Sequence, residues 1–288
     1  DQDAREAFRK SLMLNPGFVP TLEAYGKYAL HERGDARVAE CLFKELVAKN
    51  SSHPGALHSL GVALQMQGEH AEALTAWKKG VSVNPTDVAC LVSYGGLQQS
   101  ARRDLGGAEL LYKSALALEP THPVACSNYG VLLEELRGDY DAAEKLYRSA
   151  LSSAPSDPVP LNHLAMLLQD ARGDSQQAEE LYRKALSYAP SYAPTLSNMA
   201  GFQYSVRGDA DYAEKLYRRA LSVDPADVGT LINYGSLLEE HRKDGYSAQK
   251  LFDAAMTIDP YTAKRYLEQQ QGDQYQEGRS PRIVKEED

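Results

Sequence analysis

The chain is predicted to be an all-α protein, built as a solenoid of stacked antiparallel helix pairs. Two periodic features support this fold class. Aromatic residues recur in steps of 35, 34, 35, 35, 35, 35 and 35 residues, at Phe8, Phe43, Trp77, Tyr112, Tyr147, Tyr182, Tyr217 and Phe252. Proline keeps the same period, at Pro85, Pro120, Pro155, Pro190, Pro225 and Pro260. A period of this length is typical of solenoids, in which each supersecondary unit packs on its neighbours.

Each repeat is predicted to contain two helices. The first helix carries a large apolar residue followed by a tiny one, as in Tyr129-Gly130. Because Gly inside a helix lowers its propensity, a recurring Gly indicates close approach of a neighbouring helix. The second helix carries an Ala and, four residues later, the periodic aromatic, as in Ala143 and Tyr147. Small and large side chains at this spacing predict a helical hairpin.

A short turn, usually Gly-Asp, joins the two helices. Its Asp can cap the second helix, at Asp35, Asp104, Asp139, Asp174, Asp209 and Asp244. The Arg-Gly-Asp triplets that begin at Arg33, Arg137, Arg172 and Arg207 are therefore interpreted as repeat turns and not as a cell-adhesion motif. In several second helices a Glu is followed four residues later by Lys or Arg, as in Glu109 and Lys113. We expect these ion pairs to lie on a solvent-facing surface.

The repeats divide the chain into a half unit and seven complete units. Residues 1–18 hold only a second helix, so we expect the chain to be truncated at its N-terminus. Complete units fill residues 19–262 and begin near Val19, Pro54, Val88, Pro123, Pro158, Ala193 and Val228. Residues 261–271 are predicted to form a C-terminal capping helix, and residues 272–288 a flexible polar tail. Ser280, followed by Pro281, is a candidate phosphorylation site in that tail.

The combined pattern of aromatic-Gly, Ala, aromatic, Ala and Pro resembles the tetratricopeptide repeat family over residues 4–262. The resemblance implies a right-handed superhelix whose first helices line a concave groove for partner peptides. The resemblance predicts the fold specifically but says very little about function. The family repeat has about 34 residues, and here most units carry one extra residue at the end of the first helix.

The composition of the chain argues against several classes of function and site. A net charge of −9 argues against nucleic acid, since binding to phosphates needs a basic surface. No apolar run of about 18 residues or signal-peptide pattern is present, so we expect no membrane span and a cytoplasmic or nuclear location. Cys41, Cys90 and Cys126 lie far apart without metal-ligand spacing and are expected to be buried, reduced thiols. We therefore predict neither a metal site nor a cofactor.

No catalytic motif stands out from the repeats. The sequence lacks a phosphate-binding glycine loop, HExxH and GxSxG, so we predict no catalytic residues and no enzymatic activity. The acidic pairs Glu134-Glu135 and Glu239-Glu240 occupy the same repeat position near a helix end and are interpreted as solvated side chains.

A polar row on the first helices is the candidate peptide-binding site. One groove-facing position reads Ala24, Ser59, Ser93, Asn128, His163, Asn198 and Asn233, and the preceding position adds Asn162 and Ser197. Because Asn offers a donor and an acceptor, such a row can pair with the backbone of an extended peptide. The row is similar to the asparagine ladder in the repeat region of O-linked N-acetylglucosamine transferase. The alternative is that these Asn side chains bind neighbouring helices.

Three functions follow as hypotheses. The first is a non-catalytic scaffold or adaptor that binds an extended peptide or a helix of another protein. The second is the substrate-recruiting repeat region of a larger enzyme, and the third is a self-associating assembly component. Co-chaperone members of the family clamp a C-terminal carboxylate with groove cations. Among the groove positions of the first helices that would supply such cations, Lys27 is the one basic residue. We therefore expect this chain not to clamp a C-terminal carboxylate.

Overall fold

The computed structural model describes residues 2–53 and 55–276. Every regular element in these residues is helical, which confirms the predicted all-α fold. The chain divides into two compact units, Asp1–Pro155 and Ser156–Asp288. In both units, helices adjacent in sequence pack as hairpins, and each hairpin packs on the next. This is the helix-pair solenoid that the repeat period predicts.

The first unit holds nine α-helices in its described residues. They are α1 (Gln2–Leu14), α2 (Val19–His31), α3 (Ala36–Lys49), α4 (Ala56–Met66), α5 (His70–Val83), α6 (Val88–Leu97), α7 (Leu105–Leu118), α8 (Pro123–Arg137) and α9 (Tyr140–Ser153). The even-numbered members are first helices and the odd-numbered members are second helices. Helix α1 is a second helix, and its Phe8 ring stacks on Tyr25 of α2 at 5.2 Å between centroids.

The second unit continues the same alternation. Its helices are α10 (Pro158–Asp170), α11 (Ser175–Tyr188), α12 (Ala193–Ser205), α13 (Ala210–Val223), α14 (Val228–Leu237), α15 (Gly245–Ile258) and α16 (Pro260–Gln276). Helix α16 packs on α14 and α15. It continues past the predicted end at Gln271, because the Gln-rich segment favours helix enough to accommodate Gly272. Residues 277–288, including Ser280, lie outside the described residues.

The periodic aromatics form the core of each hairpin. Trp77, Tyr112, Tyr147, Tyr182 and Tyr217 have at most 2% of their surface exposed. A Cβ added to Gly95 would lie 2.8 Å from the Tyr112 ring, and Gly130 and Gly235 face Tyr147 and Phe252 just as closely. The tiny residue on the first helix therefore makes room for the ring of the second, as the sequence pattern predicts.

Each Arg-Gly-Asp triplet forms a helix-to-helix turn. Gly34, Gly138, Gly173 and Gly208 adopt positive φ angles between 59° and 70°, a conformation that costs Gly little. The following Asp accepts a hydrogen bond from a backbone N–H in the first turn of the second helix. For example, the Ala142 N–H donates to Asp139 Oδ1 at 3.1 Å. All six predicted Asp caps are present, so the cap prediction is confirmed.

Two repeats lack the turn glycine and use a different residue in the same conformation. Five-residue π-helical segments, Gln98–Arg102 and Leu238–Arg242, extend α6 and α14. Arg103 and Lys243 follow them with φ angles of 54° and 57°. A π turn holds one residue more than an α-helical turn. In these two repeats the left-handed residue after the π segment takes the place of the turn glycine.

The Glu of each predicted ion pair is mostly buried while its cation is exposed, which corrects in part the expectation of a solvent-facing pair. Glu109, Glu179 and Glu214 form the predicted ion pairs with Lys113, Arg183 and Arg218, yet only 12–14% of each Glu side chain is exposed. Each also binds the Arg at or just after the end of the next first helix, at Arg137, Arg207 and Arg242. We call this repeated arrangement the Glu–Arg latch. The latch joins the second helix of one repeat to the first helix of the next.

The cysteines depart in part from prediction. Cys90 and Cys126 are buried free thiols, and burial raises the pKa of both. Cys41, predicted to be buried, is exposed because it lies on the outer side of α3, away from Leu42 and Phe43.

Candidate protein-binding face

The predicted polar row in the second unit lies on three first helices that pack side by side. Helix α12 contacts both α10 and α14. Asn162 and His163 lie on α10, Ser197 and Asn198 on α12, and Asn233 on α14. We call the surface formed by these five residues the amide face. Asn128 lies on α8 of the first unit and is described separately below.

Asn198 is bonded to the neighbouring first helix. Its Nδ2 donates to Asn162 Oδ1 at 3.1 Å and to Met166 Sδ at 3.0 Å. Asn162 Nδ2 also points at Met166 Sδ, at 3.5 Å. Both N–H groups of Asn198 are therefore used within the protein, whereas no described residue donates to its Oδ1. Asn198 is only half-buried, so this oxygen is available as an acceptor.

Asn162 and Ser197 support the face from beneath. Asn162 is 3% exposed and Ser197 is 7% exposed, so a partner could reach little of either side chain. Ser197 Oγ lies 2.7 Å from Thr230 Oγ1, and Thr230 also bonds to Asp227. These contacts orient α10, α12 and α14 relative to one another. Both predicted site residues are thus better placed to position the face than to contact a ligand.

His163 is held as a neutral imidazole. Burial lowers the pKa of His163, and the charge of Asp157 opposes that shift without reversing it. Within the described residues, no group of three His, Cys, Asp or Glu side chains has a geometry that could hold a metal ion. His163 therefore contributes a neutral ring to the amide face, between its two Asn neighbours in the repeat order.

Asn128 in the first unit lies beside a core tyrosine. It hydrogen-bonds to Tyr112, and this bond partly offsets the rise in the Tyr112 pKa that burial causes. The Tyr112 hydroxyl also donates to Gln99 Oε1 at 3.1 Å. Lys27, the cation on the same series of helices, is paired with Glu23 at 2.6 Å. A cation already paired in this way is a poor anchor for a C-terminal carboxylate.

The acidic pair at Glu134 and Glu135 has structural partners, which corrects its interpretation as solvated. Glu134 accepts a hydrogen bond from the Tyr147 hydroxyl, and Glu135 accepts one from Gln99 at 3.2 Å. Glu240 likewise accepts from the Tyr204 hydroxyl at 3.1 Å. The signal was present in the sequence, because Gln99, Glu134 and Gln169 recur every 35 residues and each receives the hydroxyl of a core tyrosine.

Met166 is the functional candidate that sequence reasoning missed. Its sulfur accepts hydrogen bonds from the amide groups of Asn162 and Asn198, and 36% of its surface is exposed. A lone Met between apolar residues gives no sequence signal of such a role. Its position one helical turn after Asn162 is the one clue that the sequence offers.

Comparison with known protein families decides what kind of solenoid this is. Three family models, each described as a tetratricopeptide repeat, match residues 28–79, 100–167 and 161–192. The chain is a tetratricopeptide repeat protein. The predicted family is confirmed, and the repeats account for the glycine and aromatic packing described above.

Solved tetratricopeptide repeat structures share this fold at low sequence identity. A chain of the APC/C hetero-tetramer Cut9-Hcn1 aligns with a TM-score of 0.71 and 18% identity, covering 91% of this chain and 51% of that one. The repeat protein therefore spans about half the length of that chain. A tetratricopeptide repeat protein from Parabacteroides merdae aligns with a TM-score of 0.65 and 19% identity, over 87% of this chain and 97% of its own.

The Pseudomonas aeruginosa protein PilF gives a third alignment, with a TM-score of 0.57 and 19% identity, covering 77% of this chain and 98% of PilF. A search of curated proteins found no significant match. In the part of the chain that the structure describes, no helix has the length and apolar character to cross a bilayer. Tetratricopeptide repeats are protein-interaction modules, so the comparisons support an interaction scaffold at this coarse level.

Proposed function

We propose that this repeat protein is a non-catalytic scaffold that binds an extended segment of another protein on the amide face. The observation that carries the proposal is the acceptor oxygen of Asn198. Its two N–H groups are fixed by Asn162 and Met166, so the direction of Oδ1 is set before any ligand arrives. A preorganised acceptor loses little conformational entropy on binding.

The chemistry of the face favours a peptide backbone as ligand. Asn198 offers an acceptor for a backbone N–H, and Asn233 is half-buried at the equivalent position of the next repeat. His163 is neutral, and no cation lies among the five residues of the face. An extended segment bound through its main chain needs polar groups at regular spacing, and the repeat supplies them every 35 residues.

The test is an affinity purification from cell extract, read by mass spectrometry, with three versions of the chain. These are the parent, the double variant Asn198→Ala/Asn233→Ala, and a matched control, Gln176→Ala/Gln249→Ala. The control removes two exposed amides from second helices, where Gln176 binds Glu180 and Gln249 binds Asp253 of the same helix. Circular dichroism first establishes that all three are folded.

We expect proteins that bind the parent and the control to be lost from the amide-face variant. Retention of the same proteins by a folded Asn198→Ala/Asn233→Ala variant would contradict binding at this face. A synthetic peptide from the strongest partner, with single N-methylated backbone positions, then checks the main-chain contact. One N-methyl group should weaken binding where Asn198 accepts the N–H, by about tenfold for one lost hydrogen bond.

A further inference from the structure

The Glu–Arg latch shows how this chain holds a carboxylate between two repeats. Glu109 lies 2.9 Å from Arg137, 2.9 Å from Lys113 and 3.3 Å from the Tyr129 hydroxyl. Glu214 has the equivalent set, with Arg242 at 3.0 Å, Arg218 at 2.7 Å and the Tyr234 hydroxyl at 3.4 Å. The set consists of a Tyr on the first helix, the Arg at its end, and a cation on the second helix.

Helix α1 has the donors of this latch but not its carboxylate. The Glu position, held by Glu40, Glu109, Glu144, Glu179 and Glu214 in other second helices, is Arg5 in α1. Two other second helices also lack Glu at this position. Leu74 stands there in α5 and is buried, and Gln249 stands there in α15 and binds Asp253. Arg9, four residues after Arg5, stands where the latch has its second-helix cation. The position thus carries a positive charge where the latch carries a negative one.

A cavity of about 90 Å³ lies at this position, between α1 and the following hairpin. Arg5, Tyr25 and Arg33 line it, together with Ala29, Val38 and Asp35. Tyr25 and Arg33 are the counterparts of Tyr129 and Arg137 in the latch. Neither Arg5 nor Arg33 has an ion pair within the described residues. Asp35 is engaged as the cap of α3, where it accepts the Val38 N–H at 3.1 Å.

We propose that this cavity binds the carboxylate of an acidic side chain from a partner protein. Arg5, Tyr25 and Arg33 line this cavity, and the residues that correspond to Tyr25 and Arg33 in later repeats hold a Glu carboxylate. Charge-assisted hydrogen bonds from Arg to a carboxylate are among the stronger polar contacts in proteins. The cavity shares no residue with the amide face. Evidence for or against carboxylate binding here is therefore independent of peptide binding at the amide face.

The first experiment titrates the isotopically labelled chain with glutarate, and follows the arginine Nε–Hε signals by NMR. Glutaramide, its neutral counterpart, and inorganic phosphate are the comparison probes. We expect saturable shifts of the Arg5 and Arg33 signals with glutarate and none with glutaramide. Equal shifts with both probes, or no saturable shift with glutarate, would overturn the proposal. Tighter binding of phosphate than of glutarate would overturn the assignment to a carboxylate.

Three variants then test the geometry. Arg33→Gln should weaken glutarate binding by about tenfold or more, because it removes a charged donor. Arg5→Glu should abolish binding and raise the Tm, since the new side chain would complete the latch with Arg33 and pair with Arg9. In the reverse direction, Glu109→Ala should create a glutarate site beside Arg137. An Arg5→Glu variant that still binds glutarate with an unchanged Tm would refute the comparison with the latch.

Discussion

Single residues in this protein are explained by the backbone conformation or the burial that their repeat position imposes. The turn after the first helix requires a positive φ, and Gly meets it at Gly138 and Gly208. Lys243 adopts the same conformation at a cost, because its Cβ crowds the backbone in the left-handed region. His163 shows the effect of burial, which disfavours its charged form and lowers its pKa.

Lys243→Gly should stabilise the protein. The substitution relieves the left-handed strain and should raise the free energy of unfolding by about 1 kcal/mol, less the entropy that Gly gains in the unfolded chain. Urea denaturation of the variant and the parent measures the difference. Gly208→Lys is the matched reverse change and should destabilise by a similar amount. A Lys243→Gly variant that is less stable than the parent would show that the side chain makes a stabilising contact.

His163→Asn should reduce the loss of stability at acid pH. Because the folded state disfavours the charged imidazole, the unfolded chain binds more protons as pH falls below about 6.5, the ordinary His pKa. The contribution of His163 is therefore complete above that pH and is lost as pH falls. Urea midpoints at pH 7 and pH 5 should converge more in the variant than in the parent. The exposed His70→Asn serves as the control, and an identical effect of both changes would contradict this account.

At the scale of elements, the helix pair depends on one aromatic ring and one tiny residue. The Tyr147 ring is fully buried against Gly130, and its hydroxyl bonds to Glu134 on the same first helix. The Glu–Arg latch performs the corresponding task between repeats, as with Glu179 and Arg207. Packing within the hairpin buries an aromatic ring and one hydrogen bond from its polar group, whereas the latch between hairpins consists of ion pairs. The two kinds of contact should therefore differ in how much their loss costs.

Tyr147→Ala should lower the free energy of unfolding by about 3–5 kcal/mol, as large-to-small changes in a packed core do. Tyr147→Phe is the control, since it keeps the ring and removes only the hydroxyl bond to Glu134. It should cost about 1–3 kcal/mol, the range for a buried acceptor left without its donor. Chemical melts of both variants measure the two effects. A loss below about 1 kcal/mol for Tyr147→Ala would contradict the assignment of this ring to the core.

At the scale of the whole molecule, a solenoid has contacts only between neighbouring repeats. Helix α4 packs on α3 and α5, and α5 packs on α6. One apolar cluster runs through these helices, but each helix adds to it through contacts with its near neighbours in the stack. Stability is therefore expected to be a sum of local terms. A destabilising change should then act on its own repeat and on the adjacent ones.

Trp77→Ala should lower hydrogen-exchange protection locally. The Trp77 ring is fully buried, and its indole N–H donates to the His58 carbonyl at 3.0 Å. We expect faster amide exchange in α4, α5 and α6, because the ring packs on Gly61 of α4 and α5 packs on α6. We expect little change in α12 and α13. Exchange measured by mass spectrometry on peptides from each helix checks this. Uniform acceleration along the entire chain would show global cooperativity instead of nearest-neighbour stability.

The sequence alone determined the fold, the family and the position of each core ring in this protein. The reason is that a 35-residue period repeats the same local demands, so Gly95 and Tyr112 can be matched with Gly130 and Tyr147 without coordinates. The partners of polar side chains were decided by tertiary structure. Asn198 hydrogen-bonds to Asn162, 36 residues away in sequence, and Arg137 hydrogen-bonds to Glu109, 28 residues away. Such distances depend on how neighbouring helices pack, and a periodic pattern specifies which residues share a position but not which atoms meet.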